Sequence, residues 1–259
     1  MTRVTDKSEI RALLETDRNW SVYALGDLHP AHFEHSTFLR VAGIPALVLL
    51  YRAFDTPVLF TLGEPDHVEL VLEELDLPEK MYLHIRTEIL PLVHARYQVR
   101  GEKTLSRMIL DRHLLRLNSA EAAIRLGPKD VHDLERLYAD GATAHESPEF
   151  FTHAMLQEGM YFGVREGQDL VAAAGTHLVS SHESVAAIGN VYTRSDQRGL
   201  GMASCVTSAV VRELVQAGIR TIALNVEETN GRAIRVYKKL GFLRHCTFKE
   251  GLATRAIQP

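Results

Sequence analysis

Two groups of residues in the last third of the chain have types and spacing suited to chemistry. One is the run Arg198, Gly199, Leu200, Gly201, Met202, Ala203 and Ser204, a cation and two glycines at the start of a helical pattern. The other is an amide and a phenol, Asn230 and Tyr237, seven positions apart. Glycines at a helix start let unpaired main-chain N–H groups approach an anion closely, and the positive end of the helix dipole favours negative charge there. Ala203 keeps the first turn slim and Arg198 adds a full positive charge, so the arrangement best fits a pyrophosphate. Tyr237 is a candidate acid. Seven residues make two helical turns, so Asn230 and Tyr237 lie along one side of their helix and can face a long ligand leaving the glycine run.

The elements that must position these residues follow from the pattern. Residues 186–193 are apolar and β-prone enough for a buried strand, and 194–198 form a polar turn. In the helix after the glycines, Val206, Val210 and Leu214 stack on one face. Gly218 follows Ala217 where a left-handed cap belongs. The next strand, 221–226, is expected to be parallel to the first because a crossover helix joins them. A second helix, with Ala233, Ile234, Tyr237 and Leu240 at helical spacing, ends at Gly241.

The pattern Arg198-x-x-Gly201-x-Ala203, followed by Asn230, Tyr237 and the closing Gly241-Phe242, resembles the acyl-coenzyme A site of the GNAT superfamily of N-acyltransferases. The likeness covers roughly residues 120–259, and its two motifs are specific when taken together. It implies that the amides from Arg198 to Ser204 hold the coenzyme pyrophosphate and that two parallel strands splay to admit the pantetheine arm. The main chain of Asn190, Val191, Tyr192 and Thr193 would pair with that arm, Asn230 and Ala233 would border it, and Tyr237 would protonate the departing thiolate. Each residue also has a plainer use: the glycines as a tight turn, Asn230 as a helix cap, Tyr237 as a core tyrosine, Arg198 as a solvated side chain.

The implied reaction is direct attack of an amine on an acyl thioester, with acetyl-CoA or another short acyl-CoA as co-substrate. A lysine-like amine of pKa about 10.4 is mostly protonated near neutral pH, whereas an α-amine near 7.8 needs little help from a base. Residues 186–193 hold no glutamate, where this family often places its base, so His177 and Glu146 stand as candidates; each also suits a structural role. The likeness extends loosely to the glycine N-acyltransferase-like branch, which points to a small amino compound, with peptide amines also open. Two other functions compete. One is a non-catalytic acyl-CoA sensor. The other is a nicotinamide-dinucleotide enzyme, because Gly199-x-Gly201-x-x-Ser204 with Glu227 or Glu228 imitates that fingerprint. A polar turn between strand and glycines, and no run of further βα units after Phe242, argue against the second.

Composition sets the remaining bounds. A formal net charge of -4 over 259 residues gives no electrostatic reason to expect nucleic acid or an anionic membrane as partner. The apolar run at 44–51 is too short to span a bilayer, and no apolar core follows the charged N-terminal residues as a secretory signal requires. Two cysteines, Cys205 and Cys246, suit a reducing cytoplasm. Cys205 stands in the first turns of the glycine-run helix, where a thiolate is stabilised, or packs as a small hydrophobe. His29, His32 and His35 recur every third residue, but an intervening proline and the lack of cysteine partners fit no standard zinc spacing, so no metal is expected.

The fold expected is α/β (α+β), with two GNAT-like mixed-sheet halves. Residues 1–118 form a degenerate half and 119–259 the half that carries the acyl-CoA site, joined near 115–120. In the first half, helices are expected at 8–16, 65–75 and 88–99, and strands at 33–41, 46–54, 58–62, 81–85 and 103–110. In the second, a helix is expected at 148–158 and a last strand at 245–252 that closes that half's sheet. Glu64 and Asp66 occupy the first half's helix start and would repel a pyrophosphate, so only the second half is expected to bind coenzyme. The first half is left to shape an acceptor pocket, to make a homodimer contact, or to serve as scaffold.

Overall fold

The computed structural model describes residues 2–141, 148 and 150–256, so Glu146 lies outside the described residues. The chain divides into two compact units, Met1–Arg107 with Glu227–Thr229 and His245–Pro259, and Met108–Val226 with Asn230–Arg244.

The first unit opens with β1 (Thr2–Val4), α1 (Lys7–Leu14), α2 (Val22–Gly26) and α3 (Pro30–Phe33). Asp6 starts α1 by accepting from the Ser8 amide at 2.8 Å. There follow β2 (Ser36–Arg40), β3 (Leu47–Tyr51), β4 (Val58–Leu62), α4 (Pro65–Glu73), β5 (Lys80–Arg86), α5 (Leu90–His94) and β6 (Tyr97–Leu110). The strand expected at 33–41 begins only at Ser36, because Pro30 sits in the first turn of α3 and fixes a helical φ there. The helix expected over 88–99 is cut to a short 3-10 turn and α5. Tyr97 is already extended and buried, with its hydroxyl donating to the Pro78 carbonyl at 2.9 Å.

The second unit carries β7 (Ile124–Leu126), α6 (Val131–Ala139), α7 (His153–Glu158), β8 (Tyr161–Glu166), β9 (Asp169–Ser180) and β10 (Val185–Thr193). After them come α8 (Met202–Gln216), β11 (Thr221–Glu227) and α9 (Gly231–Leu240). The helix expected at 148–158 starts at His153, where the Thr152 hydroxyl caps it. Its sheet runs β11-β10-β9-β8-β7, antiparallel except for the β10–β11 pair. That mixed order is not the all-parallel, doubly wound sheet a dinucleotide fold requires.

The last strand, β12 (Phe242–Arg255), corrects an expectation. It lies beside β5 in the first unit's sheet, in the order β1-β2-β3-β4-β5-β12-β6, with antiparallel register from Phe248 opposite Arg86 to Thr254 opposite Lys80. Its alternation of apolar and polar residues fits any half-buried strand slot, so local pattern does not say which sheet receives it.

The core around the candidate site joins Val206, Val210 and Leu214 of α8 to Ile188, Leu224, Tyr237, Leu240 and Phe242. The three α8 residues are fully buried. Burial of a side chain of this size contributes about 2 kcal/mol, so this face fixes where the N-terminus of α8 sits.

Candidate functional site

The site is built where one strand pair ends. Parallel pairing of β10 with β11 runs from Val185–Thr221 to Ile188–Leu224 and no further. Beyond it, pairing of β10 with β9 skips as well: Gly189 is opposite Gly175 and Tyr192 opposite Ala173, so Asn190 and Val191 share the place of Ala174. This is a β-bulge, which bends the strand that carries the extra residue. Asn190 takes a left-handed φ of 52° there. The result is two parallel strands that diverge after four pairs and leave an edge at residues 190–193 unpaired with β11.

The glycine run lies directly past that edge. Gly199 and Gly201 have φ of 85° and 84°, a region that strains residues with a Cβ, and a Cβ built on either would meet nothing within 4 Å. The demand for glycine therefore comes from backbone conformation rather than crowding. Gly201 is the N-cap of α8; no side chain caps the helix and its first turn holds no acid. The first intrahelical bond is donated by the Cys205 amide to the Gly201 carbonyl at 3.0 Å, so the amides before Cys205 have no partner within the helix. Such a terminus can accept a polyanion.

Arg198 folds back toward the strand. Its Nε donates to the Thr193 carbonyl at 3.3 Å, its Nη2 to the Tyr192 hydroxyl at 3.3 Å, and the guanidinium lies 5.6 Å from the Tyr192 ring centroid. Asp140 completes the clamp by accepting from the Ser195 amide and the Tyr192 hydroxyl, both at 2.9 Å. Those bonds, the amide first, hold its carboxyl below the usual range.

Asn230 caps α9, its Oδ1 accepting from the Ala233 amide at 3.0 Å, which leaves its Nδ2 protons for another partner. Two turns on, Tyr237 is buried with its ring edge-on to Phe242 at 6.2 Å. Desolvation pushes its hydroxyl up to about 12. Cys205 is buried, its thiol donates to the Ser119 carbonyl at 3.0 Å, and burial raises its pKa, so it packs as a neutral hydrophobe. Of the two candidate bases only His177 is described: it projects from β9, and its Nε2 lies 3.1 Å from Asn190 Oδ1.

Several contributors escape a reading of the sequence. Asp140 and Tyr161 sit in no motif, and Asn118 and Ser119 brace the first turns of α8 from a segment 86 residues earlier in the chain. The only cue available for Asn190 is that asparagine tolerates left-handed φ better than its strand neighbours do.

The first unit holds a comparable strand pair with a different filling. Parallel pairing of β4 and β5 covers Val58–Tyr82 to Phe60–His84. Past it, Trp20 stacks on Phe60 at 5.3 Å and on His84 at 5.1 Å, and its indole N–H donates to the Thr61 carbonyl at 2.8 Å. The helix start beyond carries Glu64 as N-cap and Asp66 in the first turn of α4. Among the described residues no group of three or more His, Cys, Asp or Glu could hold a metal ion, and His32 bonds the Tyr51 hydroxyl at 3.1 Å.

Residues 129–242 match the model of the Acetyltransferase (GNAT) family. A mycothiol acetyltransferase of Geodermatophilus obscurus is 35% identical over 78 residues, which cover 27% of this chain and 25% of that protein. The chain thus aligns with about a quarter of that relative's length. Among solved structures, a putative GNAT acetyltransferase from Novosphingobium aromaticivorans superposes with a TM-score of 0.60 at 20% identity, covering 91% of this chain and 97% of that one. A tandem GNAT protein from the clavulanic acid biosynthesis pathway superposes with a TM-score of 0.57 at 12% identity, covering 100% and 98%. At these identities the two structures speak for the fold. The family model, however, spans the diverging strands, the glycine run and the Tyr237 helix together, so over residues 129–242 the chain is similar to the GNAT acetyltransferase family.

Proposed function

We propose that the protein is an acyl-CoA-dependent N-acyltransferase that moves an acetyl or other short acyl group to a primary amine by direct attack. One observation carries this reading: an uncapped, acid-free helix start with two left-handed glycines lies at the point where β10 and β11 stop pairing. In this reading the amides from Arg198 to Ser204 hold the pyrophosphate, and the freed edge at 190–193 pairs with the pantetheine arm. The Asn190 carbonyl, which already accepts from Tyr138 at 3.0 Å, keeps one lone pair for that arm. Asn230 donates through Nδ2, beside Ala233. Trp20 and the Glu64–Asp66 helix start keep coenzyme out of the first half, so residues 1–118 act as a degenerate GNAT-like domain and 119–259, apart from strand β12, as the catalytic one.

The chemistry balances without a covalent enzyme intermediate. The amine nitrogen forms the new bond to the thioester carbon, the carbon–sulfur bond breaks, and the proton lost by nitrogen is replaced at sulfur. Tyr237, with its pKa near 12, stays protonated at neutral pH. Complete proton transfer from it to a thiolate of pKa about 8.5 is uphill by about 5 kcal/mol, so it serves by donating to sulfur as charge develops. His177 Nε2 faces an amide oxygen, which only accepts, so that nitrogen carries a proton and is not a ready base. An acceptor with an α-amine needs least from such a site. The name of the curated relative, mycothiol acetyltransferase, also favours a small molecule as acceptor.

Calorimetry with acetyl-CoA, followed by thiol release across a panel of amines, tests the reading. Binding with amine-dependent release supports it. Binding without release points to the sensor, a reading the engaged His177 also accommodates. No binding by the folded protein removes both.

A further inference from the structure

The chain contains three non-glycine residues with positive φ among those described, Ser119, Ser184 and Asn190, and Asn190 alone lies within a strand. A residue in a strand does not take that conformation unless its surroundings hold it. Both polar groups of the Asn190 side chain and its carbonyl are engaged. Its Nδ2 donates to the Tyr161 hydroxyl at 2.7 Å, its Oδ1 faces His177 Nε2 at 3.1 Å, and its carbonyl accepts from the Tyr138 hydroxyl at 3.0 Å. The side chain is buried, and so are both tyrosines. Flattening the bulge would return φ to the extended region, turn the side chain off its partners, and leave buried polar groups unpaired. The flanking Gly189 leaves room for this arrangement: a Cβ there would come within 2.2 Å of His177 Nε2.

From this network we infer that Asn190 is a positioning residue: its side chain, tied to Tyr161 and His177, locks the bulge that separates β10 from β11 and so sets the opening that admits the acyl-CoA arm. The inference rests on the acyl-CoA reading of the site. It assigns His177 to the bulge, as a donor to Asn190, and gives Tyr161 a part that no motif suggests.

Asn190→Gly and Tyr161→Phe separate the tie from the backbone conformation. Glycine takes a φ of 52° without strain but lacks the side chain, and phenylalanine keeps the ring and removes the Nδ2 partner. The expected result is a rise in the Kd and KM for acetyl-CoA of about tenfold in Asn190→Gly and about threefold in Tyr161→Phe. In both, the KM for the amine should change less than twofold. The double variant should be no worse than Asn190→Gly alone, because both changes break one tie. An unchanged acetyl-CoA Kd in either variant that folds, or full additivity in the double variant, overturns the positioning role. Failure of Asn190→Gly to fold leaves Tyr161→Phe to decide. Wild-type protein that binds no acetyl-CoA overturns the underlying reading instead, so the two failures are told apart.

Discussion

At the scale of single residues, the proposed acid can be tested apart from the groups proposed to hold the site. Tyr237→Phe removes one hydroxyl from a buried ring, and we expect kcat to fall at least tenfold while calorimetry shows acetyl-CoA affinity within about twofold of the wild type. Because burial keeps Tyr237 protonated to about pH 12, kcat should show no alkaline decline between pH 8 and 10; it should follow deprotonation of the amine. A second acid, the half-buried Asp27, reports on the first unit. Desolvation raises the Asp27 carboxyl to about 8, so the folded protein retains a proton that the unfolded chain loses near 4. The folded state binds more protons in that window, so stability falls as pH rises from about 4 to about 8. Asp27→Asn has no proton to lose: its Tm should exceed the wild-type value at pH 9, with the gap narrowing towards pH 4. Tyr237 and the glycine run were legible because each belongs to a spaced pattern. Asn190 was legible as a strand residue whose main chain would meet the coenzyme arm, but not as a lock on the bulge, since its φ and its bonds to Tyr161, His177 and Tyr138 depend on β8, β9 and α6.

At the scale of elements, the candidate anion site is the first turn of α8, held from both ends. Its buried face sets the helix axis, and Gly201 sets the direction from which the chain enters. Gly201→Ala meets no atom within 4 Å, so its whole effect comes from a φ of 84°, about 1–2 kcal/mol. It should weaken acetyl-CoA binding roughly tenfold by calorimetry with a modest loss in Tm. Leu214, at the other end of the helix and fully buried, gives the contrast: Leu214→Ala should cost about 3 kcal/mol in denaturant unfolding. In that variant coenzyme affinity should hold wherever the protein remains folded. Helix α8 was readable from its period and its terminal glycines. The helix expected over 88–99 was not, because apolar residues at helical spacing in a short segment also suit a turn followed by a strand, and burial of Tyr97 decided for the strand.

At the scale of the molecule, the first unit depends on the end of the chain. Strand β12 supplies seven residues paired with β5, so a chain ending after Arg244 leaves β5 with an open edge. We expect that truncation to lose protection of the β5 amides in hydrogen exchange and to expose Trp20, the single tryptophan, with a red-shifted emission. By itself the sequence determined the elements that end in glycine or begin with a cap, the parallel pair joined by α8, and the candidate residues around the glycine run. Those features are set by bonds and turns within a few residues of one another. Tertiary structure alone decided which sheet receives β12, where β10 parts from β11, and how Asn190 is held. Each of these depends on partners tens of residues away, and a strand's alternating pattern carries no record of which neighbour it will pair with.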